Sequence, residues 1–310
     1  MSLVAVVLIV LTGAAVRLTG SGLGCPDWPS CYQHRLTAQL SYHPVVEFSN
    51  RLVTVLLTVV VGLTFVASFL RQPRRRDLCW LSGGLVAGVV AQAVLGGIVV
   101  YTKLNPYLVM IHFAASMLVV ADAVVLVHRC DRRYGEGSGT RLVPRPVLLA
   151  GRALLGLLAV VILAGTATTG AGPHAGGSSG QLVAKRLPVA LRQMAELHSS
   201  LALLLIGSAA GLAVAIHAVD VPERVRRAAR ILVVVLVAQA AVGYTQYFTH
   251  LPPLLVEVHV IGATALVVGT IQLYLAFTHH PHERSATPDR PDRAGAAVLT
   301  STAVVGHAGG

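Results

Sequence analysis

Charged residues are scarce in this chain. Only 12% of its 310 residues are Asp, Glu, Lys or Arg, and the acidic ones number 13. A water-soluble domain carries about twice that charged fraction. Hydrophobic residues make up 55% of the sequence, and the mean hydropathy is +0.71. Together these values exclude a water-soluble globular fold.

Aromatic residues and cysteines are also few. At 5% of the chain, the aromatic residues leave little surface on which nucleic-acid bases could stack. The formal net charge of +11 would by itself favour a nucleic-acid partner. Whether the charge has that meaning depends on where the basic residues lie in the sequence. Four cysteines are too few for the disulfide scaffold of so long a chain, although they leave room for one local pair.

Long apolar stretches fill most of the sequence. A membrane-spanning helix needs about 20 mostly apolar residues, and eight such stretches are separated by short polar connections. The first continues into Arg17 without a small-residue cleavage site, so we expect a retained span rather than a signal peptide. The predicted spans cover residues 2–19, 45–70, 79–101, 107–128, 147–168, 195–218, 229–248 and 254–277.

Basic residues are unevenly distributed between the connections. Those at 71–78, 129–146 and 217–230 contain 13 Lys and Arg residues, whereas the alternate connections contain 6. Because Lys and Arg accumulate in cytoplasmic loops, we expect both termini to be cytoplasmic. The positive charge then encodes orientation, and the expected partner is a lipid bilayer and no nucleic acid. From His279 onward the sequence has no apolar periodicity, which predicts a disordered tail.

Part of the sequence recurs at an offset of 147 residues. Four spans in each half would make both halves enter the membrane in the same direction, as in a parallel repeat. We therefore predict an all-α integral membrane protein with eight transmembrane helices, arranged as two pseudo-twofold four-helix bundles. Its predicted parts are an N-terminal half (1–130), a cytoplasmic linker (131–146), a C-terminal half (147–278) and a cytoplasmic tail (279–310). The matching residues are Ala91, Gln92, Ala93, Gly96, Thr102, Leu104, Pro106, Val109 and His112 in the first half and Ala238, Gln239, Ala240, Gly243, Thr249, Leu251, Pro253, Val256 and His259 in the second.

Three histidines, His112, His198 and His259, lie near the outer ends of predicted spans. Ionisable residues inside a membrane are costly, so each needs a partner or a function. Two imidazoles on facing helices of a four-helix bundle commonly hold a haem iron. We therefore predict that His198 and His259 are the axial ligands of one haem. The alternative for each is a structural imidazole that hydrogen-bonds to a neighbouring helix.

The first half offers a different set of candidate ligands. His112 alone is a candidate iron ligand there, because Asn50 stands where His198 stands in the second half. Asparagine is a poor ligand for haem iron, which would leave an open coordination position. Glu47 lies at the membrane level of the three histidines, and His43 precedes it by four residues. His43 would share a helix face with Glu47 if the helix begins early, and otherwise is an exposed loop residue.

Cys25 and Cys31 lie close together in the first outer connection. On the oxidising side of the membrane their spacing permits a disulfide, whereas the other two cysteines fall on the reducing side. A zinc pair is the alternative, but two thiolates lack the remaining ligands of a structural zinc site. We expect the disulfide.

Several short motifs occur together over about residues 2–277, and with them the chain resembles the haem A synthases of the cytochrome oxidase assembly pathway, of the bacterial type. Each motif is short, but the combination is specific. The motifs are VRLTGSGL at 16–23, CPDWPSC at 25–31, EFSNR at 47–51, QAVLGG at 92–97 before His112, GTATTGAG at 165–172, ELH at 196–198, and the segment from Gln239 to His259.

The resemblance implies an eight-helix membrane haem-dependent oxidoreductase in the bacterial cell membrane. Such enzymes oxidise the C8 methyl group of haem O to the formyl group of haem A, and they carry haem b in the second half. The resemblance makes His198 and His259 the haem b ligands and places His112 in the half that receives haem O. It also gives Glu47 a catalytic role. The cysteine pair corresponds to an extracytoplasmic disulfide of many members.

One position departs from the family pattern. Many members have a histidine where this chain has Asn50, so a bis-histidine substrate site cannot be carried over. Either His43 substitutes from one helical turn away, or His112 holds the substrate iron alone.

The resemblance also bears on partners and on rival functions. The expected partners are haem O, the haem O synthase that would supply it, an electron donor, and further copies of the chain. A di-haem b-type transmembrane electron carrier is the main alternative, but it would favour two saturated bis-histidine sites at different depths. A transporter built on a parallel repeat would explain the duplication but not histidines at equivalent positions.

Overall fold

The protein is helical throughout its apolar stretches. A computed structural model describes residues 1–32, 35, 37–130, 139–177 and 184–279, and within these ranges it contains eight α-helices. Seven of them are long and apolar enough to cross a membrane, which makes the chain a multi-pass membrane protein. The helices are α1 (Ser2–Leu18), α2 (Tyr42–Leu70), α3 (Arg76–Tyr101), α4 (Pro106–Cys130), α5 (Arg145–Ala171), α6 (Leu191–His217), α7 (Glu223–Phe248) and α8 (Pro253–Leu275).

Helix α1 is the shortest of the eight described helices. It has 17 residues, and at the helical rise per residue it is about 26 Å long. The hydrocarbon core of a bilayer is about 30 Å thick. The predicted helix at 2–19 is therefore present, and its crossing of the membrane remains a prediction.

Several helices extend beyond the predicted spans. Helix α7 begins at Glu223, six residues before the predicted start at 229, and α3 begins at Arg76 rather than at 79. The first turns of these helices contain an acidic residue, Glu223 or Asp77, which interacts favourably with the positive end of the helix dipole. Hydropathy marks only the part inside lipid, whereas the helix continues into the polar interface.

A short strand pair joins the predicted linker to the boundary between the predicted C-terminal half and the predicted tail. Strand β1 (Thr140–Arg141) pairs antiparallel with β2 (Thr278–His279). Hydropathy alone does not indicate this pair. The rest of that tail, 280–310, and linker residues 131–138 lie outside the described residues, so the predicted disorder of the tail stays a prediction.

The helices form two groups along the chain. Within each group, successive helices pack on one another, and the first also packs on the last: α1 on α4, and α5 on α8. Helix α4 lies between the groups because it also packs on α5 and α8. The buried core includes Val120 and Val124 of α4 and Leu266 of α8, whereas many apolar side chains on outward faces are exposed, as lipid contact requires.

Two equivalent turns accompany the sequence repeat. Lys103 and Leu104, between α3 and α4, have φ angles of 53° and 60°. His250 and Leu251, between α7 and α8, have φ angles of 63° and 60°. Positive φ is uncommon for residues other than glycine, and here it recurs at the sequence offset of the repeat. The two helix pairs are thus joined by the same backbone conformation.

Candidate functional site

His198 and His259, the two predicted haem ligands, face each other in the second group of helices. His198 lies on α6 and His259 on α8. Their ring centroids are 6.2 Å apart, and the ring planes make an angle of 76°. Two helices that are distant in the chain thus bring their imidazoles to one place.

The ring of His198 is held on one edge by α5. Its Nδ1 atom lies 3.1 Å from the carbonyl oxygen of Val161. A carbonyl only accepts, so Nδ1 carries the proton and the lone pair is on Nε2. A Cβ atom built on Gly165 would lie 2.9 Å from Cε1 of the same ring. Glycine at this position lets the imidazole pack against the α5 backbone.

His259 and His112 are enclosed on the same edge of the ring. Their Nδ1 atoms are buried and have no hydrogen-bond partner among the residues that the structure describes. A Cβ atom on Gly243 would lie 3.1 Å from Cε1 of His259, and one on Gly96 would lie 3.6 Å from Cε1 of His112. Nδ1 is thus buried in His112 and His259 and hydrogen-bonded in His198, which leaves Nε2 as the nitrogen available to a metal.

A glutamine bonds to the main chain of two of these histidines. Gln92 Nε2 donates to the carbonyl oxygen of His112 at 2.9 Å, and Gln239 Nε2 donates to that of His259 at 2.7 Å. The two glutamines are partners in the sequence repeat, and no role was predicted for them from the sequence. The signal was the spacing of four between each glutamine and the glycine that packs on the same histidine.

The second-group residues suit a haem. A haem macrocycle supplies the in-plane nitrogens and needs axial ligands above and below its iron. Histidine–metal bonds are about 2 Å long, so two such bonds and the radii of two rings are compatible with the centroid separation of 6.2 Å. Both rings are partly buried and shielded at Nδ1, as expected for Nε2 ligands.

Glu47 is a buried carboxylate with both oxygens engaged. Only 5% of the residue is exposed. Its Oε2 atom accepts a hydrogen bond from the backbone N–H of Cys25 at 2.7 Å, and its Oε1 atom pairs with Arg51 at 2.7 Å. Glu47 and Arg51 are one turn apart on α2, so they share a helix face.

The Glu47–Arg51 pair is bound to the loop between Cys25 and Cys31. These cysteines form the predicted disulfide. The guanidinium of Arg51 donates to the carbonyl oxygens of Asp27 at 3.0 Å, of Ser30 at 2.8 Å and of Cys25 at 3.2 Å. A buried ion pair is stable only when its remaining hydrogen-bonding capacity is satisfied, and this loop supplies the partners. The pair thus anchors the disulfide loop to α2.

Asn50 and His43, the two candidate neighbours of the substrate, have polar partners of their own. The Oγ1 hydroxyl of Thr12 donates to Oδ1 of Asn50 at 2.7 Å, and Nδ1 of His43 lies 3.0 Å from Oγ of Ser21. In the described part of the chain neither side chain hydrogen-bonds to His112. Within its described part, the structure therefore does not join these three predicted residues by hydrogen bonds.

Arg17, at the end of α1, links the two groups of helices. Its Nε atom donates to the carbonyl oxygen of His174 at 2.8 Å, and Nη2 donates to that of Thr169 at 3.2 Å. Nε2 of His174 in turn donates to the carbonyl oxygen of Leu251 at 2.8 Å. This chain of bonds joins the end of α1 to the turn before α8.

The sequence was compared with known families and proteins. The family model described as COX15-CtaA, cytochrome oxidase assembly protein, matches residues 1–271. A heme A synthase of Geobacillus thermodenitrificans is 34% identical over 137 residues, which are 43% of this chain and 42% of that protein. One of Geobacillus kaustophilus (strain HTA426) is 31% identical over 131 residues, 41% and 40% of the two chains. One of Lysinibacillus sphaericus (strain C3-41) is 29% identical over 135 residues, 42% and 44%. Each matched stretch spans less than half the length of the relative.

Proposed function

The chain belongs to the COX15-CtaA family of cytochrome oxidase assembly proteins, and on this premise we propose that it is a bacterial haem A synthase. The proposed reaction converts the C8 methyl group of haem O to the formyl group of haem A, in the cell membrane. The observation that carries the proposal is the facing pair His198 and His259, at 6.2 Å between ring centroids. Fold alone would not indicate an activity, whereas this pair supplies the axial ligands that a resident haem requires.

We assign His198 and His259 as the ligands of haem b. When bound, haem b supplies one-electron transfer to and from the substrate. The protein contributes ligand orientation. The bond from Nδ1 of His198 to Val161 fixes the tautomer and makes Nε2 a more basic ligand, and the Gly243 contact fixes the other ring.

We assign His112 as the ligand of the iron of haem O, the substrate. Its shielded Nδ1 edge supports ligation through Nε2. Asn50 and His43 remain candidate neighbours of the substrate. Since Oδ1 of Asn50 already accepts a bond from Thr12, its amide N–H group is the part free to meet a ligand.

Glu47 is the proposed catalytic carboxylate. Its Oε1 atom is paired with Arg51, so a proton that arrives at Oε1 weakens that pair. The proposed reaction consists of two successive hydroxylations of the methyl carbon by O2, each of which takes two electrons from the electron donor and two protons and forms one water; the resulting diol loses water to leave the formyl group. A buried carboxyl group is suited to relay these protons. Glu47 also holds the disulfide loop through its bond with Cys25. One side chain therefore serves both proton transfer and the anchoring of the loop.

The proposed architecture has eight spans, including α1, in two parallel four-helix halves with cytoplasmic termini. The N-terminal half (1–130) would receive haem O, and the C-terminal half (147–278) would hold haem b. The helix neighbours, the repeated turns and the paired glutamine bonds support this division. A haem O synthase, an electron donor and further copies of the chain are the proposed partners.

Haem extraction from the purified protein tests the proposed function. The protein is expressed in a host that makes haem O, purified in detergent, and its haems are separated by chromatography. We expect haem b together with haem O and haem A. A preparation without any haem would overturn the proposal, and one with only unmodified haem b would favour the electron carrier.

A further inference from the structure

The helix that precedes each repeat-equivalent histidine has the same pair of residues on one face. Gln92 and Gly96 lie on α3, and Gln239 and Gly243 lie on α7. Residues four apart on a helix are neighbours on its surface. We call each set, Gln92 with Gly96 and Gln239 with Gly243, a glutamine–glycine bracket.

The bracket on α7 contacts both the main chain and the ring of His259. Gln239 Nε2 donates to the His259 carbonyl oxygen at 2.7 Å, and a Cβ on Gly243 would lie 3.1 Å from Cε1 of the ring. A carbonyl oxygen is an acceptor only, so the amide group of Gln239 has one allowed orientation. One contact therefore sets the depth of the residue, and the other limits the rotation of its ring.

The rest of the Gln239 side chain is also fixed. A Cβ atom built on Gly262 would overlap Oε1 of Gln239, so the glutamine side chain fills the space that any larger residue at 262 would need. In the first half a different contact fixes the glutamine side chain, because Gln92 Nε2 also donates to Oγ of Ser116. Each half immobilises its glutamine in its own way.

A small axial shift would distort the bracket. Sliding α8 by one residue along its axis moves every atom by about 1.5 Å, which changes the length and the angle of the 2.7 Å bond from Gln239 and so weakens it. The same shift would move the His259 ring relative to His198 on α6. Inside lipid no water replaces the lost bond. The bracket thus resists the movement that would spoil ligand geometry.

We propose that Gln239 and Gly243 position His259 as a ligand of haem b, and that Gln92 and Gly96 position His112 toward the substrate haem. The proposal rests on the haem assignment made above. Gln239 and Gln92 are positioning residues: they act through the histidine and do not touch the iron. Removal of such a supporting partner typically weakens binding of the metal group about 10- to 100-fold.

The test compares the full-length protein with Gln239→Leu, which keeps side-chain bulk and removes the donor. Gln272→Leu, on an exposed site of α8, is the matched control. We expect Gln239→Leu to bind haem b about 10- to 100-fold more weakly, and to shift the electron paramagnetic resonance signal and the midpoint potential of the oxidised haem. Gln239→Glu, whose neutral carboxyl can donate one bond, should restore the wild-type signal in part. Gln272→Leu should match the wild type.

Four further results keep the test decisive. A wild-type signal, potential and affinity in Gln239→Leu would overturn the bracket, whereas wild-type protein without haem would overturn the proposed function itself. If Gln239→Leu does not fold, Gly262→Ala displaces the same glutamine and should shift the same signal. An unchanged signal in Gly262→Ala also overturns the bracket.

Gln92→Leu tests the bracket of the first half. This variant should leave the haem b signal unchanged and weaken haem O binding. A changed haem b signal would contradict the assignment of one bracket to each half.

Discussion

At the scale of single residues, the chemistry of the site depends on which edge of each imidazole is free. Nδ1 of His198 bonds to α5 and Nδ1 of His112 and of His259 is buried, so Nε2 is the common candidate ligand. The sequence could predict these three residues from their membrane level and from the repeat. It could not predict the shielded edge, because that depends on glycines in other helices.

Gly243 gives a prediction at this scale. In Gly243→Val the branched side chain would meet the His259 ring, which already lies 3.1 Å from a Cβ position, so the ring must rotate. We expect the purified variant to retain less than about one tenth of the wild-type haem b affinity, measured by haem titration in detergent.

The matched control for Gly243→Val is Gly207→Val. A Cβ on Gly207 has no atom within 4 Å among the described residues, so this variant adds the same side chain without a clash. It should bind haem b like the wild type. Equal affinities in the two variants would contradict the contact with His259.

Glu47→Gln separates the two roles of the carboxylate. Glutamine can still accept the Cys25 N–H bond, but it cannot take up a proton as a carboxylate does. We expect normal haem b content and a haem A yield at least about 100-fold lower, with haem O or a hydroxylated product accumulating. Chromatography of extracted haems measures both. Normal haem A output would exclude Glu47 as the proton carrier.

At the scale of elements, the disulfide loop and the first turns of α2 form one unit. The cysteine pair and Glu47 were both predicted from the sequence, since each stood out by type and position. The contact between them was not, because Glu47 and Cys25 meet only once the loop folds back on α2. The sequence feature that could have indicated this contact is Arg51, a second charged residue at the start of an apolar span, four residues after Glu47.

Breaking this unit at Arg51 should destabilise the protein. Arg51→Met leaves Glu47 buried without its ion-pair partner and leaves the loop carbonyls without their donor. Removing one partner of a buried pair costs about 3–5 kcal/mol. We expect a correspondingly lower free energy of unfolding, measured by denaturant titration in detergent.

The double variant Glu47→Leu, Arg51→Met is the control for that prediction. Removing both charges avoids a buried unpaired carboxylate, so the double variant should be more stable than Arg51→Met alone. A single variant as stable as the wild type would show that the ion pair does not hold the loop.

At the scale of the whole molecule, hydropathy predicted eight helices and the described structure contains eight. The predicted helix ends were less accurate, as α7 shows. A helix can continue beyond its apolar segment through a first turn that contains charged residues. The repeat predicted from Gln92, His112 and their partners has a structural counterpart in bonds and turns. The strand pair and the Arg17 link could not be predicted, since both join residues that are far apart in the chain.

Orientation in the membrane gives a prediction for the whole molecule. Cys130, at the end of α4, is an exposed free cysteine, and the distribution of basic residues places it on the cytoplasmic side. In a Cys79→Ala background, a membrane-impermeant maleimide should label Cys130 in inside-out vesicles and not in intact cells. Labelling of intact cells would reverse the proposed topology.

We propose that this protein makes haem A from haem O with haem b held by His198 and His259. The haem composition of a host that makes haem O but no haem A, measured with and without this chain, tests this proposal. We expect haem A to appear with the wild-type chain and to be absent with His259→Ala. Absence of haem A with folded, haem-loaded wild-type protein, or undiminished haem A with His259→Ala, would contradict it.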